Sequence, residues 1–598
     1  MFWTTTSRVT GHFFRCLTTN IVRLGVECQT KCCINIHGHN RRYSQFQPFI
    51  RNSLVDGEQD NVQPLTYPTD RGSSFLSWYI CGPTVYDEAH IGHARTYVTF
   101  DIIRRILEDY FHYRIFLAMG ITDIDDKIID KARESQTSVS DITRKYTNHF
   151  FRDMKALGVR FPDAILPVSQ HISTIISFIQ KLIDKNMAYV TESGVYFAVG
   201  RFPYRYGRLR SVDSTSGATW VESTNTQYVQ HKRDTRDFVL WKRCQKEDEP
   251  GWPSPWMDKG RPGWHVECSA MIHSLFGSEL DIHGGGIDLL FPHHENELAQ
   301  CCAYLEREHW CRYWLHTGHV SIAGRKMSKS LKNFITIQEM LSSQEMSALE
   351  FRMFCLLHHY QSPVEYGKEQ IEEAKQTWKR LLEWQHRCRW FLSRQNIENC
   401  TLLSPTKEEM SDRQQLMEWK TQIAKYLCMN FNTPAVVQLL LVQCRNMHRW
   451  MDEWESDTNH RIQTMTRLGI LKDAYRYIHQ LMDIFGLQLS NYKEQETFHS
   501  RDTEWIEIVA KFRQQLRTML KDSTIDDTQQ LRKRIFHLCD VVRDVEMAKM
   551  NVQLKDDKND AYHWNYMPTP KDYKQSKICF SLEETGDSNW IKDGSSSK

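Results

Sequence analysis

Cys81-Gly82-Pro83-Thr84-Val85-Tyr86-Asp87-Glu88-Ala89-His90-Ile91-Gly92-His93-Ala94 joins two segments of different texture. Before it, Phe75 to Ile80 is a short apolar run that reads as a buried strand. After it, Tyr97 to Leu107 carries apolar residues at helical spacing. The stretch is therefore a strand-to-helix turn. The first N–H groups of a helix have no partner inside it and face whatever lies above them, which makes such a turn a ready site for phosphate. Cys81 falls at the strand end, and His90 and His93 flank the turn. A buried cysteine and two incidental loop histidines would explain the same residues, so partners elsewhere in the chain must decide.

Arg114 to Met119 follows as a second strand and completes a βαβ unit, which implies a parallel sheet with right-handed crossovers. Residues 44–74, with Pro48, Pro64 and Pro68, read as a linker, and 75–140 as the first half of an α/β domain. Residues 141–235 hold helical stretches at 142–157 and 170–187 and a Gly/Ser/Thr-rich section around 207–226, the texture of an insertion. The second half runs over 236–335, opening on the strand Phe238-Val239-Leu240-Trp241. Residues 336–490 form an all-α region with helices expected at Glu339–Leu357, Lys368–Gln395, Lys407–Cys428, Pro434–Trp454 and Ile462–Phe485. Trp378, Trp384, Trp390, Trp419, Trp450 and Trp454 recur there as core residues, while the many Lys and Arg read as a solvated face. Residues 491–566 are a further helical section with a strand candidate at Asn551–Leu554, and 567–598 form a polar tail.

Of 598 residues, 40% are hydrophobic and 25% charged, the balance of a globular protein with room for several domains. A formal charge of +2 confines any nucleic-acid surface to a local patch. No window approaches the length of a membrane span. The 17 cysteines are odd in number and scattered, which favours a reducing compartment with free thiols. The first fifty residues carry Arg8, Arg15, Arg23, Lys31, Arg41 and Arg42 against a single acid, Glu27, with many hydroxyls and one apolar helical face. That is the pattern of a mitochondrial transit peptide over 1–43, cut before Ser44 and directing the chain to the matrix; a disordered extension of a cytosolic protein is the other reading.

Three further stretches carry reactive side chains. Gly263-Trp264-His265-Val266-Glu267-Cys268 supplies a second thiol. In Phe291-Pro292-His293-His294-Glu295-Asn296-Glu297, Pro292 suits the first turn of a helix, which would set His293 and Glu297 on one face. Two sulfurs, an imidazole and a carboxylate suit zinc. Cys81 and Cys268 are far apart in sequence, however, and taken alone these four read better as core or surface residues. Gly324-Arg325-Lys326-Met327-Ser328-Lys329-Ser330 is a glycine-led loop whose ammonium groups could neutralise a triphosphate, or a basic surface loop.

His-Ile-Gly-His at 90–93 together with Lys-Met-Ser-Lys-Ser at 326–330 resembles the two signatures of class I aminoacyl-tRNA synthetases. Within that class the chain is similar to the cysteinyl-tRNA synthetases, strongly over about 75–345. Cys81–Tyr86, Ile121–Ile129, Pro262–Met271 and Phe291–Glu297 carry the likeness, and the N-terminal stretch makes it a likeness to a mitochondrial form. The resemblance implies an α/β Rossmann-type parallel-sheet catalytic domain with an inserted connective domain, then an all-α helical-bundle anticodon-binding domain. It implies one Zn2+ per chain on Cys81, Cys268, His293 and Glu297, and a cysteine pocket lined by Thr122, Trp264 and His283. His90 and His93 would hold the ATP phosphates, Gly286 and Asp288 the ribose, and Lys326 and Lys329 would stabilise adenylate formation. ATP with Mg2+, L-cysteine and tRNA(Cys) are the implied substrates. Pyridoxal-phosphate-dependent persulfide formation near Lys127–Lys131 and Lys326 also goes with the resemblance, although no pattern in the sequence points to that cofactor. A cysteine ligase acting on a small amine would lack the long region after the Lys326 loop, and a non-catalytic paralogue would lack the signatures.

Zinc has a physical rationale in this setting. Cysteine and serine differ by sulfur against oxygen, and a pocket that reads shape alone discriminates by only about 10–200-fold. A metal that prefers thiolate does better.

Overall fold

The protein is described as a computed structural model. It covers residues 46–54, 62–68, 74–209, 231–327, 333–394, 404–456, 465–487 and parts of 509–566. The expected transit peptide at 1–43, most of the 207–226 section, Lys329 and the 567–598 tail lie outside the described residues.

A five-stranded parallel sheet forms the catalytic layer. Its strands are β1 (Leu76–Thr84), β2 (Ile115–Thr122), β3 (Ala164–Pro167), β4 (Leu280–Gly286) and β5 (Cys311–Thr317). Their order is β5-β4-β1-β2-β3, every neighbour parallel. From β1 the chain builds outward through β2 and β3, then returns to the other side of β1 for β4 and β5. The order reverses between β1 and β4, and in such sheets the crevice beyond the carboxyl ends at that point is where ligands bind.

The sheet differs from the expected borders at 140 and 235. Strand β3 lies inside the span expected to be an insertion. The strand at Phe238–Arg243 joins a second, antiparallel sheet with Ala188–Val190, Gly194–Phe197, Trp252–Ser254 and Met257–Pro262. The second sheet thus occupies 188–262. A buried apolar run reads alike in a parallel or an antiparallel sheet, so periodicity alone could not assign Phe238–Trp241.

Helix α1 (Ile91–Arg105) follows β1 and begins earlier than the expected Tyr97. The helices that frame the site are α2 (Asp126–Ser135), α3 (Trp264–Phe276) and α4 (Glu295–Leu305). Beyond the Lys326 loop the chain is helical. The expected single helix Glu339–Leu357 is two, Ile337–Ser342 and α5 (Ala348–Leu357). Thr336 and Ser347 each close a capping box, with Glu339 and Glu350 three residues on, so each starts its own helix. The bundle proper is α6 (Lys368–Arg394), α7 (Lys407–Cys428), α8 (Thr433–Ser456) and α9 (Met465–Ile484). Trp378, Trp384, Trp419, Trp450 and Trp454 are buried in it as expected, whereas Trp390 is half-buried with the Arg394 guanidinium 4.6 Å from its ring. A strand at Val552–Asp556 pairs with Tyr562–Tyr566, extending the expected Asn551–Leu554 candidate into a hairpin.

One hydrophobic core runs from the catalytic sheet, through Trp78, Phe100 and Ile103, into the bundle at Trp384 and Leu481. At the joint sits a buried charge cluster. Asp101 on α1 accepts from Arg352 of α5 (2.6 Å), from Arg105 (2.7 Å) and from the Arg160 backbone N–H (2.8 Å). Arg352 also donates to the Phe485 carbonyl at the end of the bundle (3.3 Å). The helix that starts with His90 and His93 is therefore clamped at its other end to the bundle.

Candidate functional site

The histidines at the start of α1 cap it. His90 is the N-cap, and its Nδ1 accepts from the backbone N–H groups of Gly92 (3.2 Å) and His93 (3.4 Å). The His90 backbone N–H donates to His93 Nδ1 (3.2 Å), and the two rings stack with centroids 3.8 Å apart. This is a capping box made of imidazoles. With Nδ1 accepting on both rings, the neutral form of each carries its proton on Nε2, where it is a hydrogen-bond donor. Such donors above a helix N-terminus suit phosphate oxygens.

These residues open onto a cavity of about 340 Å³ at the reversal point of the sheet. Cys81, Thr122, Trp264, Cys268 and His293 line it together with His90, His93, Gly286 and Asp288, and Met327 of the basic loop joins them. A side chain at 286 would collide with Asp288 Oδ1, so glycine there leaves the carboxylate its place at the rim. Lys326 is paired through its backbone with Ser321. Lys127, Tyr86 and Thr96 also line the cavity, and sequence reasoning did not single them out for it.

The sulfur cluster is buried. Cys81 Sγ lies 3.8 Å from Cys268 Sγ, 3.7 Å from Glu297 Oε1 and 3.4 Å from His294 Nε2. Glu297 Oε1 is 3.0 Å from His293 Nε2, and Oε2 is 2.9 Å from His283 Nε2. Trp264 stacks on His293 at 4.3 Å. The donor atoms of Cys81, His293, His294 and Glu297 all fall within 4.8 Å of one another. Cys268, which the resemblance places in the ligand set, adjoins this group through Cys81. His294 is a donor the sequence reading did not include; its Nδ1 is held by His316 Nε2 at 2.7 Å.

One expected placement differs: His283 is not among the residues that line the cavity, and it is fully buried, stacked on Trp314 at 4.7 Å with its Nε2 on Glu297 Oε2. Phe291 is extended (φ −140°, ψ 133°) and breaks the chain just before Pro292, and the helical turn that follows runs on into α4, so His293 and Glu297 stand four apart on one face as expected.

Charge in this cluster is held by its neighbours. Burial opposes ionisation of Glu297, but His283 and His293 outweigh it and bring the carboxyl down to about 2. Burial likewise opposes the His293 imidazolium, yet Glu297 and Cys268 push it up to about 10. The hydrogen bond with Cys81 lowers the Cys268 thiol, while burial keeps Cys81 protonated. Buried anionic donors need a cation or a metal to compensate them. Two sulfurs 3.8 Å apart match the edge of a tetrahedron with metal–sulfur bonds of about 2.3 Å, and sulfur with imidazole selects zinc over magnesium or calcium. The residues present fit a zinc ion.

A family model described as the tRNA synthetases class I (C) catalytic domain matches residues 70–376. The chain is 40% identical to a cysteine–tRNA ligase of Encephalitozoon cuniculi (strain GB-M1), over 76% of this chain and 88% of that one. It is 41% identical to a probable mitochondrial cysteine–tRNA ligase of Xenopus tropicalis over 69% of each chain, and 36% identical to a cytoplasmic cysteine–tRNA ligase of Dictyostelium discoideum over 86% of this chain and 77% of that one. Among solved structures, Mycobacterium tuberculosis methionyl-tRNA synthetase with methionyl-adenylate has a TM-score of 0.53 at 14% identity, over 69% of this chain and 92% of that one, a likeness of fold.

Proposed function

The chain belongs to the cysteine–tRNA ligases of the class I tRNA synthetases, and from that premise we propose how its residues join L-cysteine to tRNA(Cys) at the expense of ATP. The cysteine carboxylate attacks the α-phosphorus of ATP and pyrophosphate leaves. A ribose hydroxyl at the end of the tRNA then attacks the carbonyl carbon of cysteinyl-adenylate and AMP leaves. No covalent enzyme nucleophile takes part, so the protein contributes position and charge. His90 and His93 donate from Nε2 to the phosphates, with Mg2+ travelling on the ATP. Gly286 and Asp288 hold the ribose, and Lys326 and Lys329 meet the charge that grows on the leaving pyrophosphate. Thr122 and Trp264 enclose the amino acid, and His283 holds Glu297.

Cys81, Cys268, His293 and Glu297, with His294 beside them, would hold a zinc ion. When bound, the zinc supplies a thiolate-preferring ligand position for the substrate sulfur, which serine cannot match. The observation that carries the reading is that Cys81, Cys268, His90 and His93 line one cavity, and that Cys81, His90 and His93 belong to a single strand–turn–helix, Leu76 to Arg105. The helices after 336 take the anticodon end of the tRNA. The basic, acid-poor 1–43 stretch supports delivery to the mitochondrial matrix, testable by fusing it to a reporter.

The testing experiment is cysteine-dependent pyrophosphate exchange with wild type and Cys268→Ser, zinc being measured in both. The variant is expected to lose zinc and exchange together. Full exchange by a zinc-free variant overturns the reading.

A further inference from the structure

Tyr79 precedes Cys81 by two residues on β1, so the two side chains share one face of the sheet. Tyr79 is fully buried, and its ring meets His283 edge-on at 5.4 Å. On the neighbouring strand Tyr79 pairs with Ala118, and Cys81 with Gly120. Gly120 has no side chain, and the phenol occupies the space this leaves: a Cβ at 120 would run into the Tyr79 hydroxyl. The hydroxyl sits in the field of Cys268, Cys81 and Glu297. It is set toward Cys268, but among the described residues no contact completes a hydrogen bond of full geometry.

A buried hydroxyl left unsatisfied costs about 1–3 kcal/mol, and phenylalanine would pack the same space without that penalty. The hydroxyl therefore calls for a partner that is present in the working site. A phenol is protonated near neutral pH and can donate, and a metal-bound thiolate sulfur is an acceptor. Of the two thiols, Cys268 is the one the hydroxyl is set to meet.

We propose that Tyr79 is a positioning residue whose Oη donates a hydrogen bond to the Cys268 thiolate in the metal-loaded site. The bond fixes the sulfur where the metal needs it and offsets part of its buried negative charge, so the ligand set is less costly to assemble and the place left for the substrate thiol keeps its geometry. Gly120 serves the same end by leaving room for the hydroxyl. This inference rests on the zinc reading above.

Tyr79→Phe in the full chain tests it, because the change removes one oxygen and keeps the ring. Zinc affinity is read by competition with a chromophoric chelator, and sulfur character by the thiolate-to-cobalt charge-transfer band of the Co2+-substituted protein. We expect an unchanged circular dichroism spectrum, about 10–100-fold weaker zinc binding, a shifted band and a raised KM for cysteine. Gly120→Ala, which displaces the hydroxyl from its seat, should shift the band in the same direction. Unchanged zinc affinity and an unchanged band in Tyr79→Phe overturn the inference. Weaker binding with an unshifted band marks a packing effect and overturns it too. A wild-type protein that holds no zinc overturns the metal reading itself, and so separates the two failures.

Discussion

Replacing Asp101 by Asn removes one charge and almost no volume at the joint between the catalytic layer and the bundle. Arg352 is fully buried and Arg105 nearly so, and both lose the carboxylate that balances them. Breaking a buried ion pair from one side costs about 3–5 kcal/mol, because the remaining charge stays buried without compensation. Arg352 keeps its bonds to the Leu157, Gly158 and Phe485 carbonyls, which argues for the lower end of that range. Thermal and urea unfolding of wild type, Asp101→Asn, Arg352→Met and the double variant measure it. The double variant should lose less than the sum of the singles, by about 0.5–3 kcal/mol.

The effect has a definite pH dependence. Burial would raise the Asp101 carboxyl, but Arg352 and Arg105 outweigh it and hold the group below its ordinary range. A group depressed in the folded state stabilises above its unfolded pKa of about 3.9, and the stabilisation is lost as pH falls through the folded value. The gap between wild type and Asp101→Asn should therefore be full at pH 7 and shrink below about pH 4. A gap under about 0.5 kcal/mol at pH 7, or one unchanged on acidification, would refute the argument.

Other outcomes follow from the site and its scaffold. Glu297→Gln should weaken zinc retention by at least about tenfold, read by metal analysis after dialysis, because Glu297 is a ligand in the proposed site and the partner of His283 and His293. His93→Ala should lower the rate of adenylate formation by about 10²–10³, with little change in the KM for cysteine, since it removes a phosphate donor and none of the sulfur cluster. Ser347→Ala should destabilise by about 1 kcal/mol in urea unfolding while leaving adenylate formation unaltered, because it removes only the cap of α5.

How much could be read in the chain varies from element to element. The Cys81–His93 turn, the βαβ unit and the long helices were legible because periodicity and turn residues agree there. Helix α1 was placed late because its cap is a histidine rather than Ser, Thr, Asp or Asn, and Gly92 in its first turn is a poor helix former. Strand β3 is four residues long and sits between helical stretches, so no alternation could mark it. His294 and His316 were missed because burial and mutual bonding, not spacing, identify them. His283 was expected beside the substrate and is buried on Glu297 instead, since motif position gives nearness to a site without saying whether a side chain lines it.

The central claim is that the zinc cluster at Cys81 and Cys268 reads the amino acid that the His90–His93 turn activates. Its most direct test is charging of tRNA(Cys) with cysteine and with serine, before and after chelation, with zinc measured in the same preparation. The account predicts about one zinc per chain and a preference for cysteine well beyond the roughly 10–200-fold that shape alone supplies. It also predicts loss of cysteine charging in step with loss of zinc. A zinc-free protein that charges cysteine at the full rate, with its preference over serine intact, would contradict it.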